Sequence, residues 1–111
     1  MDNHESPIAT FLPGVAALAR FAPERMQKLD CVVTDRLLLG LNCFEPGQAQ
    51  RGHAHAVADK FYLILSGRAK LVAGSETRDC GPGDLVFAPA GALHGVESAS
   101  ERIVMLVGMT R

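Results

Sequence analysis

Short apolar, β-rich runs alternate with polar, glycine- and proline-bearing turns along most of this 111-residue chain. From residue 27 onward these turns recur every 8–12 residues or so. Many short strands punctuated in this way are typical of an antiparallel barrel or sandwich, and not of a parallel α/β sheet. The predicted fold class is therefore all-β, with strands over residues 29–34, 37–44, 50–56, 61–65, 68–73, 77–80, 85–88, 93–97 and 102–107.

The first 26 residues follow a different pattern. They are polar through about Leu12, and Pro13-Gly14 indicates a turn. Residues 15–21 fit either a short helix or a short strand, because their alanines favour a helix whereas Arg20 interrupts the apolar stripe. We predict that residues 1–26 form an N-terminal arm, exchanged between the subunits of a dimer, and that residues 27–111 form the barrel domain.

Composition and charge exclude several classes of protein. The chain is 48% hydrophobic with a net charge of −1 and no cluster of basic residues, which argues against binding to nucleic acid. No apolar run approaches the ~20 residues of a membrane helix, and the first residues do not resemble a signal peptide. Cys31, Cys43 and Cys80 are widely spaced and odd in number, which favours a reducing cytoplasm over a disulfide framework.

Three histidines are the candidate metal ligands. His53 and His55 are separated by one residue, so on a strand their side chains share a face, and both Nε2 atoms reach one ion at about 2.0–2.1 Å. His94 follows a glycine- and proline-bearing turn, which fixes where it points. Polar residues on a solvated strand, or a single core histidine, are the plainer alternatives. His4 lies in the arm, and we expect no role for it.

Two stretches of the chain resemble the motifs of the cupin superfamily. Gly47, His53, His55, Lys60 and Gly67 are spaced as in the first motif, G-x5-H-x-H-x3/4-E-x6-G, with lysine in place of glutamate. Gly83, Pro89, Gly91, His94 and Ser98 are spaced as in the second, G-x5-P-x-G-x2-H-x3-N, with serine in place of asparagine. The resemblance implies a jelly-roll β-barrel, or double-stranded β-helix. It also implies a divalent transition metal (Fe, Zn, Ni, Mn or Cu) bound by the three motif histidines.

The fourth ligand of the family, a glutamate, does not carry over to this chain. Its place falls on Lys60, or on Asp59 if the loop slips by one residue. Three versions of the site follow: three histidines alone, as in the cysteine-dioxygenase branch of the family; a site completed by Asp59; or a barrel that binds an organic ligand without metal. For Lys60 we expect an alkyl stem along the barrel wall and a charged head that reaches solvent.

Two functions from different classes remain open. The first is a dioxygenase-like oxidoreductase acting on a small oxygen-rich or carboxylate substrate, with Tyr62 and Lys60 as candidate catalytic residues. The second is a non-catalytic sensor or accessory cupin that binds a small molecule, with or without metal. In either case we expect a homodimer, because a small barrel leaves sheet edges that must be covered. The predicted core contains Phe44, Phe61, Leu63, Leu85, Phe87 and Met105, together with an inert thiol at Cys43.

Overall fold

Two antiparallel sheets pack face to face in the computed structural model, which describes residues 9–111. One sheet has five strands in the order β1-β2-β9-β4-β7, and the other has four in the order β3-β8-β5-β6. The described residues include no α-helix, and none of their helices is long and apolar enough to cross a membrane. The strands are β1 (Gln27–Val33), β2 (Leu37–Phe44), β3 (Gln50–His53), β4 (Lys60–Ser66), β5 (Ala69–Ala73), β6 (Glu76–Cys80), β7 (Leu85–Ala88), β8 (His94–Ala99) and β9 (Ile103–Thr110). The predicted all-β jelly-roll barrel is confirmed.

Strand β3 is shorter than predicted. The sequence pattern extends it to residue 56, whereas the strand ends at His53. Beyond this point the chain turns away from β8, and the carbonyl oxygen of His55 accepts a hydrogen bond from the Gly91 N–H at 2.7 Å. The segment after His53 is therefore held by a loop–loop contact and not by a strand partner.

The main core fills the space between the sheets, as the buried Phe44 and Met105 show. The prediction that Leu85 and Phe87 belong to this core is wrong, because their side chains are 62% and 57% exposed. Strand β7 is the last strand of its sheet, and it turns Val86 and Ala88 inward instead. The core residues are Phe44, Tyr62, Ile64, Ala69, Leu71, Cys80, Val96, Ala99, Ile103, Met105 and Val107.

A second apolar cluster lies on the outer face of the five-stranded sheet, around Leu41 and the buried thiol of Cys43. The residues preceding β1 pack against it through Val15, Ala19 and Phe21. Here residues 15–18 form a short 3-10 helix, so the helical alternative is the correct one. Residues 1–8 of the predicted arm, His4 included, lie outside the described residues, and the arm's exchange in a dimer stays a prediction.

Candidate metal centre

His53 and His94 are direct partners across two antiparallel strands, because His53 ends β3 opposite His94 at the start of β8. Opposite residues of such a pair project to the same face, and their ring centroids are 4.3 Å apart. The His55 ring lies 5.0 Å from that of His53 and 5.3 Å from that of His94. One ligand atom from each of the three residues lies within 4.8 Å of the other two.

His55 reaches this cluster from a loop, not from a shared strand face. The turn that precedes His94 holds the loop in place, since the Gly91 N–H donates to the His55 carbonyl oxygen. Gly91 has a φ of 86°, a conformation that residues with a side chain rarely adopt. The glycine of the second motif therefore positions a histidine of the first.

Backbone carbonyl groups set which ring nitrogens face the cluster. The Nδ1 atoms of His53 and His94 lie 3.0 Å from the carbonyl oxygens of Arg51 and Ala92, respectively. A carbonyl oxygen only accepts, so each Nδ1 carries the proton and each Nε2 keeps a free lone pair. The Nε2 atoms of His55 and His94 are buried and have no hydrogen-bond partner among the described residues.

The donor set fits a divalent transition metal. Unprotonated imidazole nitrogens are good ligands for such ions, and a backbone acceptor on the opposite ring nitrogen is the usual support for a ligating histidine. The three ligand atoms, within 4.8 Å of one another, surround a space in which one ion could be bound. Three neutral ligands leave the charge of the ion uncompensated and leave positions open for a small molecule.

Burial lowers the pKa of both His55 and His94, and the nearby positive charge of Lys60 lowers each further. In the unfolded chain these imidazoles gain protons at about pH 6.5, whereas in the folded, metal-free protein they stay neutral to a lower pH. The contribution of these two groups to the free energy of unfolding is therefore fully present above about pH 6.5, and it is lost as the pH falls toward their folded pKa values.

We expect the thermal midpoint of the metal-free protein to fall between pH 6.5 and 5, measured by circular dichroism with a chelator present. His94→Gln should make this fall smaller, because it removes one of the two groups. An equal fall in wild type and variant would show that His94 does not contribute.

Lys60 lies at the position of the family's glutamate, and its side chain points into the barrel beside Tyr62. The expectation that its head reaches solvent is wrong, because the residue is only 6% exposed. Its Nζ atom lies 5.0 Å from the centroid of the Tyr62 ring. Burial, and then the charge of Lys28, lower its pKa to about 8, so the ammonium form still predominates at neutral pH.

Asp59 and Tyr62 are engaged elsewhere. Asp59 is exposed, and its Oδ1 accepts a hydrogen bond from the Ala90 N–H at 2.9 Å, so in this arrangement it is not a fourth ligand. Tyr62 is buried next to His94, with ring centroids 5.9 Å apart, and its hydroxyl donates to Gln50 Oε1 at 2.8 Å. Burial raises the Tyr62 pKa, so this hydroxyl is a fixed donor and not a ready base.

A cavity of about 140 Å³ adjoins the histidine cluster. One polar lining residue that the sequence motifs do not indicate is Asn42, which is 4% exposed and whose Nδ2 has no hydrogen-bond partner among the described residues. It is the one polar side chain of β2, and its inward parity with Phe44 is visible in the sequence. The lining residues are Lys28, Leu29, Asp30, Leu38, Gly40, Leu41, Asn42, His53, His55, Lys60, Val107 and Met109.

An antiparallel double-sheet barrel with three clustered histidines beside a cavity is the arrangement of cupin-type barrels. The sequence model of the cupin domain matches residues 40–109. This chain belongs to the cupin family.

Known proteins support the same assignment. The structure of TT1209 from Thermus thermophilus is similar to this chain at 37% identity and a TM-score of 0.84, over 89% of this chain and 95% of that one. The uncharacterized protein SCO3923 from Streptomyces coelicolor is 35% identical over 69 residues, which cover 62% of this chain and 65% of that protein. KdgF from Halomonas sp. shares 21% identity and a TM-score of 0.74 over 78% of this chain and 79% of its own, a likeness of fold alone.

Proposed function

We propose that this cupin binds one divalent transition metal (Fe, Zn, Ni, Mn or Cu) through His53, His55 and His94. We further propose that it acts as a dioxygenase-like oxidoreductase on a small oxygen-rich or carboxylate substrate. The observation that carries the proposal is the convergence of three imidazoles, two of which have buried Nε2 atoms without a partner among the described residues. An unpaired buried acceptor is costly, and an ion bound there would relieve that cost.

The residues around the cluster have distinct roles in this proposal. A bound ion supplies Lewis acidity and, if it is redox-active, electrons for oxygen chemistry. Tyr62 and Gln50 brace β4 against β3 through their hydrogen bond, and so hold the wall beside His94. Lys60 supplies positive charge from inside the barrel. The small cavity admits a ligand while its apolar wall limits the number of waters.

A specific observation favours the second candidate, a non-catalytic cupin that binds a small molecule. The Tyr62 hydroxyl is committed to Gln50, and the Asp59 carboxylate is committed to Ala90. Neither group is free to move a proton to or from a substrate. Such a protein would bind the same class of ligand without turning it over, with or without metal.

Oxygen uptake separates the two candidates. We expect Fe(II)-loaded protein to consume oxygen with 2,4-pentanedione, pyruvate or cysteine, and we expect His94→Ala treated in the same way to give only the background rate. If calorimetry shows that one of these molecules binds while oxygen uptake stays at background for all three, the enzyme hypothesis is wrong and the protein is a non-catalytic binding cupin.

The assembly and location of the protein are also proposals. We propose a homodimer, because the outer face of the five-stranded sheet leaves Leu85 and Phe87 exposed. Sedimentation equilibrium should give twice the chain mass of 11.8 kDa, and a clean monomer at micromolar concentration would exclude the dimer.

We propose a cytoplasmic location, because Cys31, Cys43 and Cys80 are all free. Fractionation of cells should find the protein with cytoplasmic markers.

A further inference from the structure

The cavity beside the histidines has an excess of positive charge. Two lysines, Lys28 and Lys60, and one carboxylate, Asp30, line it. Lys28 and Asp30 are exposed on β1, whereas Lys60 is buried. Among residues 9–111, no carboxylate forms an ion pair with Lys60. A buried ammonium without a counter-ion is strongly unfavourable, so this cavity is suited to an anion.

Strand register places the polar groups at different depths along the cavity. Lys60 lies level with Met109, and Asn42 lies level with Met105, four residues deeper in the barrel. The Lys60 head leans toward the intermediate level, since its Nζ lies over the ring of Tyr62. Asn42 lies on the deeper side of that level, where its side chain is buried and its Nδ2 has no hydrogen-bond partner among the described residues. The two donors therefore bracket the middle of the cavity.

The space between these donors is small. At the intermediate level the cavity is lined by Val107 of β9 and Gly40 of β2, and a glycine adds no side chain. A volume of about 140 Å³ corresponds to about five water molecules at their share of liquid volume, well below the usual size of a drug-sized pocket. A ligand of about six non-hydrogen atoms matches such a volume.

We propose that Lys60 and Asn42 form a carboxylate-binding subsite, so that the ligand is a small 2-oxo or 2-hydroxy acid. The ammonium of Lys60 and the amide N–H of Asn42 bind the carboxylate. The adjacent oxo or hydroxy oxygen faces His53 and His55, which line the same cavity. This inference rests on the proposed function, because the second oxygen needs the metal to bind it.

Calorimetry with pyruvate tests the subsite on the zinc-loaded full-length protein at pH 7, with the zinc content of every sample measured. We expect Lys60→Met and Asn42→Leu each to weaken pyruvate binding by about tenfold or more, the usual loss of a hydrogen bond to a charged group. Zinc content should not fall in either variant. Lys70→Met is the matched control, because Lys70 is exposed on β5 outside the cavity, and it should bind pyruvate as wild type does.

Two further ligands sharpen the test. Pyruvamide has the shape of pyruvate without its charge, so it should bind more weakly than pyruvate to wild type and should lose less affinity than pyruvate does on Lys60→Met. Inorganic phosphate should bind more weakly than pyruvate. Tighter binding of phosphate, or unchanged pyruvate affinity in both variants, would overturn the carboxylate subsite.

Failure of the subsite and failure of the metal site give different results. Zinc at full content with unchanged pyruvate affinity in the variants removes the subsite alone. Absence of zinc from wild type removes the metal site, and pyruvate is then titrated into the metal-free protein, where the same dependence on Lys60 supports the subsite and its absence overturns it. Lys60→Gln, which keeps a polar head, replaces Lys60→Met if circular dichroism shows that the latter is unfolded.

Discussion

His94→Ala should lower the affinity of the protein for zinc by more than about a hundredfold. Loss of an outer-shell partner of a metal ligand alone typically costs about 10–100-fold in affinity, and loss of a ligand itself should cost more. His94 is 1% exposed and directly opposite His53, so its imidazole lies inside the cluster. Zinc titration against a competing chelator measures the change.

The other two histidines should behave alike if the three act as one unit. His53→Ala and His55→Ala should each bind zinc as poorly as His94→Ala does. His4→Ala is the matched control, because it removes the histidine that lies outside both motifs, and it should bind zinc as wild type does. Wild-type affinity in any one of the three cluster variants, with the fold intact by circular dichroism, would refute the shared site.

Lys60→Glu should raise the affinity for zinc by about tenfold or more. The substitution replaces a buried ammonium, whose charge lowers the pKa of both His55 and His94, by a carboxylate that can approach the ion. Two effects add: repulsion of the cation is removed, and a fourth ligand is supplied. The same variant should lose pyruvate binding, because the anion subsite becomes negative.

Two controls separate these effects. Lys60→Met removes the positive charge without adding a ligand, so zinc affinity should rise less than in Lys60→Glu. Lys70→Glu makes the same change of charge at an exposed position outside the cavity, and zinc affinity should stay as in wild type. Equal zinc affinities for wild type and Lys60→Glu would mean that residue 60 does not face the ion.

Turn residues made the fold predictable from the sequence. Glycine and proline delimit the strands so closely that β2 and β7 begin and end where the pattern places them. The spacing of the motifs also identified the three histidines that cluster in the structure. The prediction that His55 shares a strand face with His53 is wrong, however, because β3 ends at His53 and the contact of Gly91 with the His55 carbonyl oxygen holds His55 in a loop.

Features that depend on the neighbouring sheet were not predictable. Alternation shows that Leu85 and Phe87 share a face, but it does not tell which face of an edge strand meets the core. Lys60 is buried by residues of other strands that surround it in the barrel, and the sequence around Lys60 does not show which residues these are. Asn42 stands out in an apolar strand, yet its importance appears only when the cavity places it near Lys60 and the histidines.

Elemental analysis of the wild-type protein, purified without added metal, tests the central claim most directly. The proposed site predicts about one transition metal ion per chain, and almost none in a variant with alanine at His53, His55 and His94. Stoichiometric metal in that triple variant would contradict the three-histidine site. A wild-type protein that carries no metal and takes up none on titration with zinc would contradict it equally.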